Sequence, residues 1–317
     1  MRGAAWRKAV IMTESTRDQL IGFIGTGNIG NPMARQLIRG GYQLVVFDLR
    51  PEATENLLEL GAEPASSAAE VASRCSIVFT SLPGPPQVDA ATTGPDGILA
   101  GAQPGDIHVD LSTNAPTEVR RILWIESDAG IHHIDAPVTG GVIRAGEGTL
   151  TVLGSGDMEI FERVRPLFNH IGEHVLYLGE AGMGGLYKLI NNVIVLSGHM
   201  IVQEALVLGA KAGLDRVDLI EKLRQGTARP YMGLADIFLA KQWENPTSTG
   251  YIAEKDMSLA LQLAREQQVS MPVASAVHQT YLATLAAGMG DLHHYSTLDL
   301  LEHVAGVEVP SIEPQDA

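Results

Sequence analysis

Seven short β-rich runs separated by longer helical segments occupy the chain from residue 20 to about 180, and after Gly182 the β signal stops. The runs are "LIGFIG" (20–25), "QLVVFD" (43–48), "SIVFTS" (76–81), "DIHVDL" (106–111), "IHHIDA" (131–136), "TLTVLG" (149–154) and "HVLYLG" (174–179). Between them "NPMARQLIRGG", "PEATENLLELGA" and "PTEVRRILWIESDAG" carry helical patterning, several closed by the glycine that commonly ends a helix. Repetition of strand, crossover helix and strand predicts an α/β fold with a mainly parallel, doubly wound sheet. Residues 182–212 make one long apolar helical run, and helical patterns follow near 215–225, 254–268 and 272–288. The predicted organisation is an N-terminal extension over 1–19, a sheet domain over 20–181, an all-helical domain over 182–303 joined by the long helix, and a polar, proline-containing tail over 304–317.

Charge narrows the partners. The 22 basic and 37 acidic side chains leave a formal charge of −15, with no Lys/Arg-rich run, so nucleic acid and anionic membrane surfaces are poor partners. No stretch is expected to supply the roughly 18 to 20 apolar residues of a membrane span. A single cysteine, Cys75, excludes an intrachain disulfide and a Cys-based zinc cluster, and fits a reducing cytoplasm. The ten histidines show no HExxH or similarly tight ligand spacing, so no metal is expected. His132-His133 and His293-His294 read as loop or strand-end residues, and His199 as core packing or a subunit contact.

The first run leads straight into "GTGNIG", with Gly25, Gly27 and Gly30, and then into a helix. A lone GxGxxG is weak, but here a strand precedes it, a helix follows, and Asp48 closes the next strand 18 residues after Gly30. Gly25 permits a tight turn, Gly27 lets backbone approach a pyrophosphate, and Gly30 lets helix pack closely on strand. The helix N-terminus offers N–H groups and a positive dipole end to phosphates. A carboxylate at Asp48 accepts hydrogen bonds from ribose hydroxyls and repels a 2′-phosphate, which favours NAD; Arg50 nearby leaves NADP open.

Four motifs then match one family in order: "GFIGTGNIGNPMARQL" (22–37), "DAPVTGG" (135–141), "GMGGLYKLINN" (182–192) and "KDMSLAL" (255–261), with "SLPGPPQV" and "DLSTNAP" matching weaker loop patterns. Over residues 20–300 the chain resembles the β-hydroxyacid dehydrogenases, the group that includes 3-hydroxyisobutyrate dehydrogenase and tartronate semialdehyde reductase. The resemblance implies a Rossmann-type domain followed by a helical one, and hydride transfer between a nicotinamide and a small 3-hydroxy acid or its semialdehyde. It implies that Lys188 is catalytic and that Ser112, Thr139, Gly140, Gly141 and Asn192 hold the substrate carboxylate. Gly25, Gly27, Asn28, Ile29, Gly30, Asp48, Leu82, Pro83, Thr113 and Lys255 would hold the cofactor. Ile29 stands where the family usually has Met, and Thr139 where it usually has Ser. Self-association through the helical domain, as a homodimer or homotetramer, is also implied.

The residues supply their own chemistry. Lys188 and Asn192 are i and i+4 on the apolar run, with Asn191 close to the same face. Oxidising an alcohol removes the hydroxyl proton as hydride leaves the carbon. A lysine can accept that proton if it is partly neutral, and desolvation lowers a lysine pKa in that direction. The alternative for Lys188 is a snorkelling surface lysine. In "DAPVTGG", consecutive glycines let N–H groups converge on an anion and Thr139 adds a hydroxyl, a tight turn without ligand being the plain alternative; Arg144 reads as solvated charge, with a second substrate anion as its alternative. Lys255 and Asp256 open the helix patterned over 254–268, where an exposed ion pair is the plain alternative. Two other functions compete: an NADPH-dependent semialdehyde or imine reductase, against which Lys188 and Asp48 stand, and a non-catalytic nucleotide-binding module.

Overall fold

The computed structural model describes residues 20–311 except Asn245, and excepting the side chains of Leu234 and Asp236. The extension expected over 1–19 and the end of the tail, 312–317, lie outside the described residues. The chain divides into two compact units, the first ending at Lys188 and the second beginning at Leu189.

Among the described residues nine strands build the first unit: β1 (Leu20–Ile24), β2 (Gln43–Phe47), β3 (Glu63–Pro64), β4 (Ile77–Thr80), β5 (Ile107–Asp110), β6 (His132–Asp135), β7 (Val138–Thr139), β8 (Leu150–Gly156) and β9 (Gly172–Tyr177). Their order is β3-β2-β1-β4-β5-β6-β8-β7, with β9 paired to β8. The first six pair in parallel, β8 runs antiparallel to β6 and β7, and β9 lies parallel to β8. All seven β-rich runs are strands. The two-residue β3 and β7 were not foreseen, because two residues carry no periodicity.

β1 is buried along its whole length, as expected of a parallel strand covered on both faces. On one face Phe23 stacks on Phe79 at 6.0 Å and Phe168 meets Phe79 edge-on at 6.1 Å. Val45, Val71 and Val78 fill the other face. Each such aromatic contributes about 1.5 to 3 kcal/mol by leaving water. The chain runs outward from β1 to β2 and β3, then crosses back to place β4 on the other side of β1. That reversal opens a crevice beyond the C-terminal strand ends. The loops after β1, β4, β5 and β6 all start there.

The second unit is helical. The helices Arg216–Gln225, Gly250–Glu266 and Pro272–Ala286 correspond to the patterned segments, and Ala235–Ala240 and Thr297–Ala305 add to them. Its core has two parts, one around Phe238, Trp243, Tyr295 and Leu298, the other around Met200, Met257, Val277 and Tyr281. His199 packs edge-on against Tyr295 at 5.0 Å, and burial, aided by His293, lowers its pKa to about 4. His293 forms an isolated bridge with Thr249 and caps the 3-10 turn His294–Ser296.

Two expectations need correction. The tail is docked rather than frayed as far as Ser311: Val309 is fully buried and its N–H donates to Glu302 Oε1 at 2.8 Å, and Arg216 Nη2 donates to Ser311 O at 2.9 Å. The helix Met183–Lys211, 29 residues, is by length and composition long enough and apolar enough to cross a membrane, contrary to the sequence expectation. Its buried side chains are spent on the helical core, Leu196 and Met200 in one part and Val202, Leu206 and Val207 in the other. Ile194, Ile201 and Leu208 recur at seven-residue spacing and are exposed.

Candidate active site

Each glycine of "GTGNIG" has a separate structural reason. Gly25 lies at φ +86°, and a Cβ there would stand 2.4 Å from Ser81 O. Gly30 opens the helix Gly30–Arg39, and its Cβ would stand 1.9 Å from Gly25 O, so helix and strand meet only without a side chain. In front of Gly27, among the described residues, only Arg50 Nη2 comes near, at 3.7 Å from a Cβ position. Open backbone beside a helix N-terminus is what a pyrophosphate requires, so these residues fit a dinucleotide. Asn28 is exposed and Ile29 half-buried beside it. Asp48, just past β2, accepts from Thr26 N at 2.8 Å through Oδ2 and from Arg50 N at 2.9 Å through Oδ1. Its carboxylate is thereby held against the glycine turn, with Arg50 Nε 3.8 Å away.

The loops after β4 and β5 are laced together. Leu82 N donates to Ser112 Oγ at 2.9 Å. Asp110 ends β5 and holds the next turn, accepting from Ser112 N at 3.0 Å and from Asn114 Nδ2 at 2.6 Å. Ser112 is buried, Leu82 and Thr113 are half-buried, and Pro83 is exposed. Thr139 ends β7 opposite Thr151 of β8. Gly140 and Gly141 follow at φ +131° and +77°, conformations that strongly favour glycine. Arg144, on the following helix Gly141–Glu147, is exposed.

Lys188 ends the first unit, in the second turn of Met183–Lys211, and is half-buried. The start of that helix is gripped by the sheet. Gly184 N donates to Ser155 Oγ at 3.0 Å and Gly185 N to Asp135 Oδ2 at 2.9 Å. A Cβ at Gly184 would stand 2.2 Å from Leu153 O, and one at Gly185 2.6 Å from Asn114 O. The glycines of "GMGG" therefore let the helix seat flush on the strand ends. Ser155 Oγ also donates to Asp135 Oδ2 at 2.9 Å. Burial pushes the Asp135 carboxyl up to about 6 despite the pull of the Gly185 N–H. Neither Asp135 nor Ser155 was singled out from the sequence; the clue was an acid at the C-terminal end of a strand, directly before the glycine-containing loop motif.

In the second unit, Asn192 Nδ2 donates to Asp256 Oδ2 at 2.7 Å, and Asn191 Nδ2 donates to Asn192 Oδ1 at 3.0 Å. Asn191 thus braces Asn192. Lys255 Nζ pairs with Asp256 Oδ1 at 2.7 Å. This pair does not open a helix. The helix starts at Gly250, where Thr249 Oγ1 caps Ile252 N at 3.3 Å, and Asp256 is buried inside it. Asp256, weighed in the sequence only as an exposed partner of Lys255, fixes Asn192 as well.

His133, read as a loop or strand-end residue, is the second residue of β6. It is buried on β6, and its Nδ1 donates to Glu126 Oε2 at 2.7 Å. His108 Nδ1 meets Glu126 Oε1 at 2.6 Å. These three are the one group of possible metal ligands among the described residues. Ligands about 2.0 to 2.2 Å from a tetrahedral zinc stand well over 3 Å apart, whereas contacts this short are hydrogen bonds.

A dinucleotide cradle at the switch point of a parallel sheet, with a lysine on a helix clamped to the same sheet, defines an NAD(P)-dependent oxidoreductase. Residues 20–179 match the family described as the NAD binding domain of 6-phosphogluconate dehydrogenase, and residues 182–301 that described as NAD-binding of NADP-dependent 3-hydroxyisobutyrate dehydrogenase. The chain is 35% identical to 2-hydroxy-3-oxopropionate reductase of Escherichia coli, over 90% of its own length and 98% of that protein's. It is 33% identical to NAD-dependent L-serine dehydrogenase of Pseudomonas aeruginosa, over 86% and 94% of the two chains. A solved 3-hydroxyisobutyrate dehydrogenase from Salmonella typhimurium superposes with a TM-score of 0.82 at 25% identity, covering 89% of this chain and 100% of that one. The chain belongs to the β-hydroxyacid dehydrogenase family.

Proposed function

We propose that this enzyme oxidises the C3 hydroxyl of a small 3-hydroxy carboxylic acid, or reduces the corresponding semialdehyde, with NAD preferred over NADP. The observation that carries the reading is the seating of Lys188: Asp135 and Ser155 grip the first turn of its helix, one turn before the lysine. The substrates named for the relatives, 2-hydroxy-3-oxopropionate and L-serine, differ at C2 but share a carboxylate and an oxygen on C3. A pocket common to them recognises the carboxylate and acts on C3.

In this reading neutral Lys188 accepts the C3 hydroxyl proton, and in reverse its ammonium returns a proton to the carbonyl oxygen. Ser112, Thr139, Asn192 and the N–H groups of Gly140 and Gly141 hold the substrate carboxylate. Asp256 orients the Asn192 amide so that its carbonyl and remaining N–H are directed by a fixed partner. Gly25, Gly27, Asn28, Ile29 and Gly30 carry the cofactor pyrophosphate, Asp48 the ribose, and Leu82, Pro83, Thr113 and Lys255 its nicotinamide end. The nicotinamide, when bound, supplies the hydride acceptor or donor.

Asp48 supports NAD, because its fixed carboxylate opposes a 2′-phosphate. The exposed Arg50 beside Gly27 is the observation that favours NADP as a second reading. A panel of L-serine, D-glycerate and 3-hydroxyisobutyrate, run with each cofactor and followed at the reduced-nicotinamide absorbance band, tests both points. Turnover of at least one acid is expected, with NAD bound about tenfold or more tightly than NADP, a difference of ~1.4 kcal/mol. Tighter NADP binding would overturn the cofactor assignment; NAD binding with no acid turned over would leave a binding module.

A further inference from the structure

A buried chain of polar side chains runs across the first unit beneath the loops after β4 and β5. Starting on β6, His133 Nδ1 donates to Glu126 Oε2 at 2.7 Å, and Glu126 Oε1 meets His108 Nδ1 at 2.6 Å. His108 Nε2 lies 2.9 Å from Thr80 Oγ1, and Thr80 Oγ1 donates to Asp110 Oδ1 at 2.8 Å. The Thr80 hydroxyl has one proton, which goes to Asp110, so its oxygen accepts from His108 Nε2. His108 therefore bridges Glu126 on one side and Thr80 on the other. Asp110 passes the chain into the loop through Ser112 N and Asn114 Nδ2, and Ser112 Oγ holds Leu82 N. His133, Asp110 and Asn114 also line one small cavity with Pro85 and Val88, so the far end of the chain returns to the helix that follows the Leu82 loop.

All five residues from His133 to Asp110 are at most 3% exposed. We propose that His133, Glu126 and His108 form a positioning array that acts through Thr80 and Asp110 to hold the 82–83 and 112–114 loops in their ligand-binding conformation. The inference rests on the assignment of Leu82, Ser112 and Thr113 to ligand binding. Burial alone would raise Glu126, but the two imidazoles outweigh it and bring the carboxyl to about 2. Burial alone would lower His133, but Glu126 outweighs it and holds the imidazole above its ordinary value. Each carboxylate oxygen of Glu126 is thus paired with an imidazole nitrogen. Well-packed apolar side chains would serve a core as well or better than a buried ion group, whereas a hydrogen-bonded polar array selects one geometry, here with His133 Nε2 and Asn114 Oδ1 left without a partner among the described residues. That geometry is delivered to two loops on the crevice edge.

The test compares Glu126→Gln, Thr80→Val, their double variant and Ser112→Ala in steady-state kinetics. Glu126→Gln removes the carboxylate between the histidines, and Thr80→Val cuts the link to Asp110 with almost no change of shape. Each is expected to raise KM for NAD or the hydroxy acid about five- to tenfold while kcat stays within about threefold, and the double variant should be no worse than either alone. Unchanged KM values, or additive losses in the double variant, would overturn the array. If Glu126→Gln does not fold, Thr80→Val decides alone through its KM-against-kcat split. Ser112→Ala separates the premises: if it leaves every KM unchanged, the ligand assignment of the loop fails; if it raises KM and Thr80→Val does not, only the array fails.

Discussion

Lys188→Ala is expected to lower kcat by about 10²- to 10⁴-fold while the NAD dissociation constant stays within about twofold. Alanine is the best helix former, so the helix Met183–Lys211 keeps its geometry and the change is confined to the amine. The glycine loop and Asp48, which carry the cofactor reading, lie on the other side of the sheet order around β1 and β2 and do not depend on this side chain. Lys188→Arg should be almost as inactive, because a guanidinium stays protonated and cannot accept the hydroxyl proton. Stopped assays of both variants beside calorimetric NAD titrations check this. Undiminished turnover in Lys188→Ala would remove the lysine from the chemistry, and a parallel loss of NAD binding would make its role structural.

Gly184→Ala should be nearly as damaging, although the residue carries no chemistry. The added Cβ would stand 2.2 Å from Leu153 O and 2.9 Å from Asp135 Oδ2. The first of these is backbone of β8 and cannot swing away, so the helix start must move. Movement there weakens the bonds from Gly184 N to Ser155 and from Gly185 N to Asp135, and displaces Lys188 one turn on. A displacement of about 1 Å costs roughly 10²-fold in rate, and overpacking of this kind costs about 1 to 3 kcal/mol of stability. Gly146→Ala is the control: it lies within the helix Gly141–Glu147, nothing stands within 4 Å of its Cβ position, and it should be neutral or stabilise by up to about 1 kcal/mol. Thermal melts and kcat of the two variants decide; a Gly184→Ala enzyme with kcat within twofold of wild type would show that the helix start tolerates movement.

Much of this was legible from local pattern. Strands such as Leu20–Ile24 and Gln43–Phe47 show as β-rich runs because burial on both faces demands apolar, branched residues. The roles of Gly25, Gly27 and Gly30 follow from spacing, since strand, turn and helix are contiguous in the chain. Features set by distant residues were not legible. The start of Gly250–Glu266 was placed four residues late because its cap, Thr249, sits among residues with no helical periodicity. Val309 was assigned to a frayed tail because its partner, the buried Glu302, belongs to the preceding helix and polar neighbours mask it. The His133–Glu126–His108 array joins a helix to two strands. In sequence it is only two histidines on separate β-rich runs and one of the two glutamates on an amphipathic helix. Asp135 and Asp256 were missed as positioning residues for the same reason: each acts across the fold on a residue of the long helix, 50 residues away for Gly185 and 64 for Asn192.

Hydride is expected to move between C3 of a 3-hydroxy acid and the cofactor while Lys188 takes the proton. Supplying the active acid of the panel with both C3 hydrogens replaced by deuterium, and weighing the reduced cofactor by mass spectrometry, tests it most directly. One deuterium per reduced cofactor, with none delivered at a comparable rate by Lys188→Ala, is the expected result. Reduced cofactor without deuterium would contradict it, because the hydride would then have come from another carbon.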